Sequence, residues 1–211
     1  MSKTTRYQAL IVDLDGTLYF QTPVRLFMAL SILIFCVIHP FRWREVFLIR
    51  YYRKLYTKGI DHSKRCAQIA QQYAVQENLV EQMVEDWMIQ RPLSFVRAFR
   101  DKRLLSLLSD CQKAGNKIII YSDYPVTEKL KVLDFKPDAA YAADDVGCLK
   151  PMPDGLLHIL DEQNLVISEC LFIGDKKEKD GKCAENVGME NVILPQSRLL
   201  RGRKLIEMLG M

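Results

Sequence analysis

Short apolar runs that alternate with helical stretches place the strongest constraint on the fold of this chain. Runs with the length of a buried strand occur at 7–12, 118–121, 138–142, 170–173 and 191–194. Helices are predicted around them, at 101–114, 126–133, 154–163, 180–187 and 197–209. Strands joined by helices of this length form a parallel sheet with helices on both faces. The sequence therefore predicts an α/β, Rossmann-like core of about five parallel strands.

Residues 20–95 interrupt this pattern, because no strand of the same kind is found there. Helices are predicted at 24–38, 41–57, 63–73 and 78–90, with breaks at Pro40, Gly59 and Pro92. At 211 residues the chain is long enough for two domains. The predicted organisation is a core domain of residues 1–19 plus 96–211 and an inserted all-helical domain of residues 20–95.

Polar residues suited to a metal or phosphate site follow the predicted strands. Asp13 and Asp15 come directly after the first strand, and side chains alternate along a strand, so both leave it on the same side. Two carboxylates this close raise each other's pKa unless a nearby cation offsets their repulsion. Carboxylate oxygens are ligands that Mg²⁺ prefers. Strand ends of a parallel sheet also meet at one edge. The other candidates are Thr17, Ser122, Asp123, Lys150, Asp175 and Asp180.

The order of these groups resembles the four motifs of the haloacid dehalogenase (HAD) superfamily of phosphatases. In this chain they read Asp-x-Asp, then Ser, then Lys, then Gly-Asp-x-x-x-x-Asp. The resemblance covers residues 7–18 and about 101–194. In that superfamily an insert directly after the first motif is a helical cap that closes over the active site. The resemblance therefore implies that residues 20–95 form a cap domain.

The catalytic roles come from this resemblance. It implies an enzyme, a Mg²⁺-dependent phosphatase in which Asp13 attacks a phosphomonoester and forms an aspartyl phosphate. Asp15 would serve as general acid to the leaving group and then as general base to water. Lys150 would neutralise charge on the transferring phosphoryl group.

The resemblance also implies which residues hold the metal and the phosphate. Mg²⁺ would be bound by Asp13, the backbone carbonyl of Asp15, Asp175 and Asp180, the last either directly or by orienting the other ligands. The phosphate oxygens would meet Thr17 and Ser122, and Asp123, beside the serine, is added as a residue that lines this part of the site. Taken singly, these residues have ordinary alternative roles, as helix caps, turn residues or solvated surface groups.

Two alternatives to a phosphatase stay open. A phosphomutase uses the same residues, and some proteins keep this fold as silent binding or scaffold modules. Asp15 argues against cleavage of a carbon–halogen bond, because superfamily members with that activity lack an acid at this position. Lys176 stands where many relatives have a small hydroxyl residue, and this departure bears on the choice of substrate.

Basic charge is concentrated in the insert. The chain carries a formal charge of +4, and within 25–58 seven basic residues face Glu45 as the single acidic one. The rest of the chain is close to neutral, so a nucleic-acid partner is not expected. Residues 26–38 are apolar apart from Ser31, and six aromatic residues lie within 41–56.

Two interpretations of these insert helices stay open. The helix at 24–38 is buried within the cap or against a second subunit of a homodimer. Alternatively, residues 24–56 contact acidic lipid as a peripheral membrane surface, or bind the apolar tail of a lipid or prenyl phosphate. A small soluble phosphate ester is the default substrate.

A transmembrane helix and a secretory signal are not expected. The apolar run is shorter than the about 20 residues of a membrane span, and the motifs before and after it must meet in one site. The six cysteines show no Cys-x-x-Cys spacing and are predicted to be reduced thiols of a cytoplasmic protein.

Overall fold

The chain folds as two units in a computed structural model, which describes residues 6–56, 58, 60, 62–197, 200, 201, 203, 204 and 207. One unit runs up to Gln21 and resumes at Phe99, and we call it the core unit. The other spans Thr22–Ala98, and we call it the helical unit. The predicted boundaries of the insert were residues 20 and 95. Gly59 and most of the predicted helix at 197–209 lie outside the described residues.

The core unit is built on a parallel sheet, which confirms the predicted α/β class. Its strands are β1 (Ala9–Val12), β2 (Lys117–Ser122), β3 (Ala139–Ala142), β4 (Cys170–Gly174) and β5 (Glu190–Ile193). Their order is β3-β2-β1-β4-β5, and every neighbouring pair is parallel. All residues of β1 and β4 are buried. Strands covered on both faces are uninterrupted apolar runs, which is why the sequence reveals them.

Ten α-helices are found within the described ranges. In chain order they are α1 (Gln21–Ile38), α2 (Arg44–Tyr56), α3 (His62–Tyr73), α4 (Glu77–Val84), α5 (Arg91–Ala98), α6 (Lys102–Lys113), α7 (Thr127–Leu133), α8 (Ala143–Val146), α9 (Asp154–Glu162) and α10 (Lys182–Val187). On one face of the sheet, Ile11, Tyr121 and Phe172 belong to the same buried cluster as Leu156 of α9 and Ala184 of α10.

The register of the sheet aligns the carboxyl ends of its central strands. Val12 is paired with Ile120 of β2 and with Ile173 of β4. The order of the strands reverses between β1 and β4, and ligands of open parallel sheets bind outside the carboxyl ends at such a point. The residues that follow β1 and β4 are therefore placed for function.

The helical unit contains α1 to α5 and no strand among its described residues. The predicted break at Pro92 is wrong. A π-helical turn, Glu85–Gln90, leads directly into α5, and Pro92 lies in the first turn of that helix. Proline has no N–H to donate to the preceding turn, and the hydrogen bonding changes at this point from the wider π-helical turn to the α-helix.

Helix α1 is long and apolar enough to cross a membrane by length and composition. Only Val24 and Phe35 of its residues are buried, so the interpretation of this helix as one buried within its own domain is wrong. A single crossing is also inconsistent with the sheet. β1 precedes α1 and pairs with β2 and β4, which follow it, so one crossing would place paired strands on opposite sides of the bilayer.

Candidate active site

Three buried carboxylates meet beyond the carboxyl ends of β1 and β4. Oxygens of Asp13, Asp175 and Asp180 all lie within 4.8 Å of one another. Gly16 turns the chain after β1 with a φ of +102°, and a Cβ at this position would lie 2.2 Å from Asp175 Oδ2. Glycine is therefore required for the loop after β1 to approach this carboxylate.

Lys150 reaches the acidic cluster from the loop before α9. Its Nζ donates to Asp13 Oδ1 at 2.5 Å, to Asp180 Oδ1 at 2.7 Å and to the Tyr121 carbonyl at 3.2 Å. Burial alone would lower the pKa of Lys150, but Asp13, Asp180 and Asp123 raise it well above its ordinary value. The lysine is thus a fixed positive charge between two carboxylates.

The cluster holds more negative than positive charge. Burial raises the pKa of Asp13 to about 7, Lys150 opposes that rise, and the charge of Asp180 adds to it. Burial also raises the pKa of Asp175 above its ordinary value. A divalent cation would relieve this excess, because it stabilises the ionised form of each carboxylate.

The donor atoms suit a hard divalent cation. Asp175 Oδ1 is buried and accepts no hydrogen bond from the described part of the chain, with Lys176 Nζ at the ion-pair distance of 3.4 Å. Asp180 Oδ2 accepts from the backbone amides of Asp175 and Lys176 at 3.1 and 3.0 Å, which folds the loop around the site. A buried carboxylate oxygen without a donor is the kind of ligand a hard cation prefers.

Asp15 points away from this cluster and into a different set of contacts. Its carboxylate accepts from Lys129 Nζ at 2.6 and 2.8 Å, from Ser122 Oγ at 3.2 Å, and from the Tyr19 hydroxyl. Burial alone would raise the pKa of Asp15, but the charge of Lys129 and these hydrogen bonds hold it below its ordinary value. Asp15 is therefore ionised in this arrangement.

The three predicted phosphate residues bond to neighbouring side chains and loops. Thr17 Oγ1 donates to Asp13 Oδ2 at 2.9 Å and so orients that carboxylate. Ser122 bonds to Asp15, as above. Asp123, also predicted for the phosphate site, accepts at Oδ1 from the Lys150 amide at 3.0 Å and pairs at Oδ2 with Lys179 Nζ at 2.6 Å. It holds the loop that carries the buried lysine.

Several residues of the site were not found from the sequence. Lys129 and Tyr19 bind Asp15, and Lys179 binds Asp123. Arg201 is buried, donates to the backbone carbonyls of Thr17 and Gly16, and lies 3.5 Å from Asp101. No local sequence pattern predicts that Arg201 binds the loop after β1, because this contact joins residues 184 positions apart, Arg201 and Thr17. For Lys129, in the first turn of the helix that follows Ser122, proximity to that motif is a weak signal.

The parallel sheet carries a cluster of aspartates and one lysine at its carboxyl edge, and this arrangement is that of an α/β enzyme with carboxylates in its active site. Residues 7–188 match the haloacid dehalogenase-like hydrolase family, and the chain belongs to that family. This result confirms the resemblance read from the four motifs. No match is found among the curated proteins.

Solved structures with different activities share this fold. A Bacillus subtilis protein described as a HAD-hydrolase, with magnesium bound, is 14% identical with a TM-score of 0.66, over 98% of this chain and 100% of that one. A 2-haloacid dehalogenase of Pseudomonas syringae is 16% identical with a TM-score of 0.60, over 89% and 86%. A HAD phosphatase of Thermococcus onnurineus is 20% identical with a TM-score of 0.57, over 89% and 86%. At these identities the likeness concerns the fold alone.

Metal and pH are expected to act on stability through Asp13. Because the pKa of Asp13 is raised to about 7, the folded protein binds more protons than the unfolded chain between roughly pH 4 and pH 7. Without metal, wild type should therefore lose stability relative to Asp13→Asn as the pH rises through this range. Urea unfolding of both proteins in EDTA, across the range, measures this difference.

Saturating Mg²⁺ is the control for that experiment. A bound cation favours the ionised carboxylates, so it should stabilise the wild type more strongly at the upper end of the pH range than at the lower end. A wild type that gains stability over Asp13→Asn as the pH rises in EDTA would contradict the charge excess described here.

Proposed function

We propose that this protein is a Mg²⁺-dependent phosphatase that hydrolyses a phosphomonoester through an aspartyl phosphate on Asp13. The observation that carries the proposal is the contact of Asp13 with Lys150 beside the acidic cluster. An anionic nucleophile can approach an anionic phosphate only where positive charge offsets their repulsion. Lys150 supplies one such charge, at 2.5 Å from the carboxylate that would attack.

Mg²⁺ bound by Asp13, Asp175 and the backbone carbonyl of Asp15, with Asp180 beside it, would supply the remaining positive charge and polarise the phosphoryl oxygens. The chain's own residues do the rest. Thr17 and Lys150 orient Asp13 for attack, and the amide bonds to Asp180 keep the loop after β4 folded. The backbone of residues 13–17 would face the phosphate oxygens.

Asp15 is the proposed general acid and general base, and its contacts favour the role of general base. An ionised Asp15 can accept a proton from the water that attacks the aspartyl phosphate. To protonate the leaving group it must first gain a proton, against the charge of Lys129. We therefore infer that Lys129 is a positioning residue that sets the protonation of Asp15.

Replacing Lys129 by methionine is expected to shift the pH–rate profile. Without the ammonium charge, the pKa of Asp15 should rise by roughly 1 to 3 units, which moves the acid limb of kcat to higher pH. Lys131→Met is the matched control, because Lys131 lies on the same helix, α7, in an exposed pair with Glu128. Equal profiles for the two variants would show that Lys129 does not act on Asp15.

Two other functions remain as alternatives. A phosphomutase would use the same nucleophile and metal and would return the phosphoryl group to a substrate hydroxyl instead of to water. A binding or scaffold module would need none of this chemistry. The complete set of Asp13, Asp15, Lys150, Asp175 and Asp180 favours an enzyme. The six cysteines are free thiols, which supports the proposal of a cytoplasmic location.

The deciding experiment is a phosphate-release screen of the purified protein with Mg²⁺ and with EDTA. Its panel should contain soluble phosphomonoesters beside prenyl and other lipid phosphates, with Asp13→Asn as the blank. We expect release from soluble esters that depends on Mg²⁺ and is absent in the blank. Isomerisation of a sugar phosphate without release would favour the mutase, and neither activity with retained Mg²⁺ binding would favour a binding module.

A further inference from the structure

Helix α1 presents a continuous apolar surface to solvent. Seven of its large apolar side chains are exposed, among them Leu26 at 68%, Leu33 at 61% and Val37 at 74%. At 100° per residue the seven occupy an arc of about 140° on one side of the helix. Monomeric soluble proteins rarely expose a contiguous patch of this kind, and such patches mark an interaction surface.

The opposite side of α1 is the one that packs in the helical unit. Val24 and Phe35 lie there and are buried. The ring of Phe35 meets that of Trp87 edge to face, with 4.9 Å between centroids. The exposed arc is therefore largely a second face of the helix, although Phe27, one of the seven, stacks on Phe95 of α5 with 5.5 Å between ring centroids. Rotating α1 about its own axis would not bury more apolar surface, because apolar side chains occupy both sides of the helix.

Exposed aromatic side chains follow α1 directly along the chain. Phe41, in the 3₁₀ turn Pro40–Arg42, is 93% exposed. Trp43 and Phe47 are more than half exposed and pack edge to face, with 5.2 Å between centroids. Tryptophan and phenylalanine beside an apolar helix face are typical of segments that lie in the interface of a bilayer.

The charges along the same segment favour one kind of partner. Exposed basic side chains occur along the same segment, at Arg25, Arg44, Arg50, Arg53 and Lys58. Glu45, the one acidic residue of the segment, is paired with Arg42. A second copy of the chain would bring these like charges together, whereas acidic phospholipid headgroups would attract them. Charge complementarity therefore favours a bilayer over a dimer.

We propose that α1, the turn Pro40–Arg42 and the start of α2 dock on the surface of an anionic phospholipid bilayer. The apolar arc and Phe41 enter the boundary between headgroups and acyl chains, and the arginines contact lipid phosphates. This inference does not depend on the proposed phosphatase activity, since no residue of the site takes part in the docking.

Vesicle binding by the 211-residue chain tests the proposal. The probes are vesicles of phosphatidylcholine alone and of phosphatidylcholine with an equal part of phosphatidylglycerol. We expect co-sedimentation with the anionic vesicles that is at least about tenfold stronger than with the neutral ones. It should weaken at about 1 M salt, where the Debye length falls to roughly 3 Å.

Tryptophan fluorescence reports where the contact occurs. The chain has two tryptophans, and Trp43 is exposed while Trp87 is buried. Anionic vesicles should shift the emission to the blue, and brominated lipid should quench it. Trp43→Phe should retain binding and lose most of this signal. A signal that persists in Trp43→Phe would place the contact elsewhere and overturn the proposed surface.

Surface substitutions separate docking from folding. The variant Leu33→Ser with Val37→Ser and Phe41→Ser changes only exposed positions, and we expect it to bind anionic vesicles at least about tenfold more weakly. Leu157→Ser with Val166→Ser is the matched control, because these exposed apolar residues lie in the core unit. Circular dichroism and phosphate release should be unchanged in both.

Three results would overturn the proposal. One is a wild type that stays in the supernatant with anionic vesicles at low salt. Another is equal binding by wild type and the triple variant. The third is a dimer, detected by light scattering, that the triple variant dissociates while neither protein binds vesicles. That result would assign the apolar arc to a second copy of this chain.

Discussion

Asp13→Asn will abolish phosphate release, with kcat lower by about 10⁴-fold or more, as expected when the nucleophile of an enzyme is removed. An asparagine amide cannot form the aspartyl phosphate, and Asp13 is the carboxylate that contacts both Thr17 and Lys150. The loss should appear with every active substrate, because the nucleophile is common to all of them. Steady-state phosphate release measures it.

The same variant is expected to stay folded. Burial raises the pKa of Asp13, so a neutral side chain of the same shape removes an unfavourable charge from the cluster. The thermal midpoint in EDTA should therefore be no lower than that of wild type. Asp134→Asn is the matched control, since this exposed residue has a φ of 57°, a conformation that asparagine accepts readily. Retained activity in Asp13→Asn with a normal fold would exclude the proposed nucleophile.

Lys150→Met will reduce both stability and rate. The substitution leaves the Asp13 and Asp180 carboxylates buried without their shared cation, and breaking such a buried pair costs about 3–5 kcal/mol. Loss of the charge that faces the phosphoryl group should also lower kcat by about 10²- to 10³-fold. Urea unfolding and steady-state kinetics measure the two effects separately.

Mg²⁺ gives this prediction an internal check. A cation bound at the cluster would replace part of the lost charge, so Mg²⁺ should stabilise Lys150→Met by more than it stabilises the wild type. Lys131→Met is the control, because its exposed pair with Glu128 is worth about 0–1 kcal/mol. If Lys150→Met and Lys131→Met unfold at the same urea concentration, the buried ion pairs do not contribute as described.

The sequence was sufficient to predict the class of fold. β1 and β4 are buried apolar runs, and β2 is apolar and buried from residue 118 to residue 121. Such runs are recognisable without coordinates. The acidic motifs were predicted for a related reason. Asp13 and Asp175 follow these strands directly, and the carboxyl ends of parallel strands meet at one edge.

The sequence also predicted that Lys150 belongs to the site, but only through the resemblance to a family. Most lysines are solvated, and nothing in the local pattern distinguishes this one from a surface residue. Its burial between Asp13 and Asp180 depends on contacts across 137 and 30 residues. The contact of Lys129 with Asp15 spans 114 residues and had no signal strong enough to predict it.

For α1 too, the sequence predicted the local properties and the tertiary structure decided the burial. The sequence determined that the segment is apolar and helical, since both properties are local. It left open whether these side chains are buried, because burial depends on which elements pack against the helix. In the structure Val24 and Phe35 alone are buried, and the other face is exposed.

The sequence by itself thus determined the strands of the core, their parallel arrangement and the acidic groups at their ends, which follow from the periodicity and spacing of neighbouring residues. Only the tertiary structure decided which charges face one another. Asp123 bonds to Lys179 and the Lys150 loop, and Arg201 holds the backbone after β1. Such partners meet because distant elements pack together, and the energy of a buried charge depends on all the groups around it.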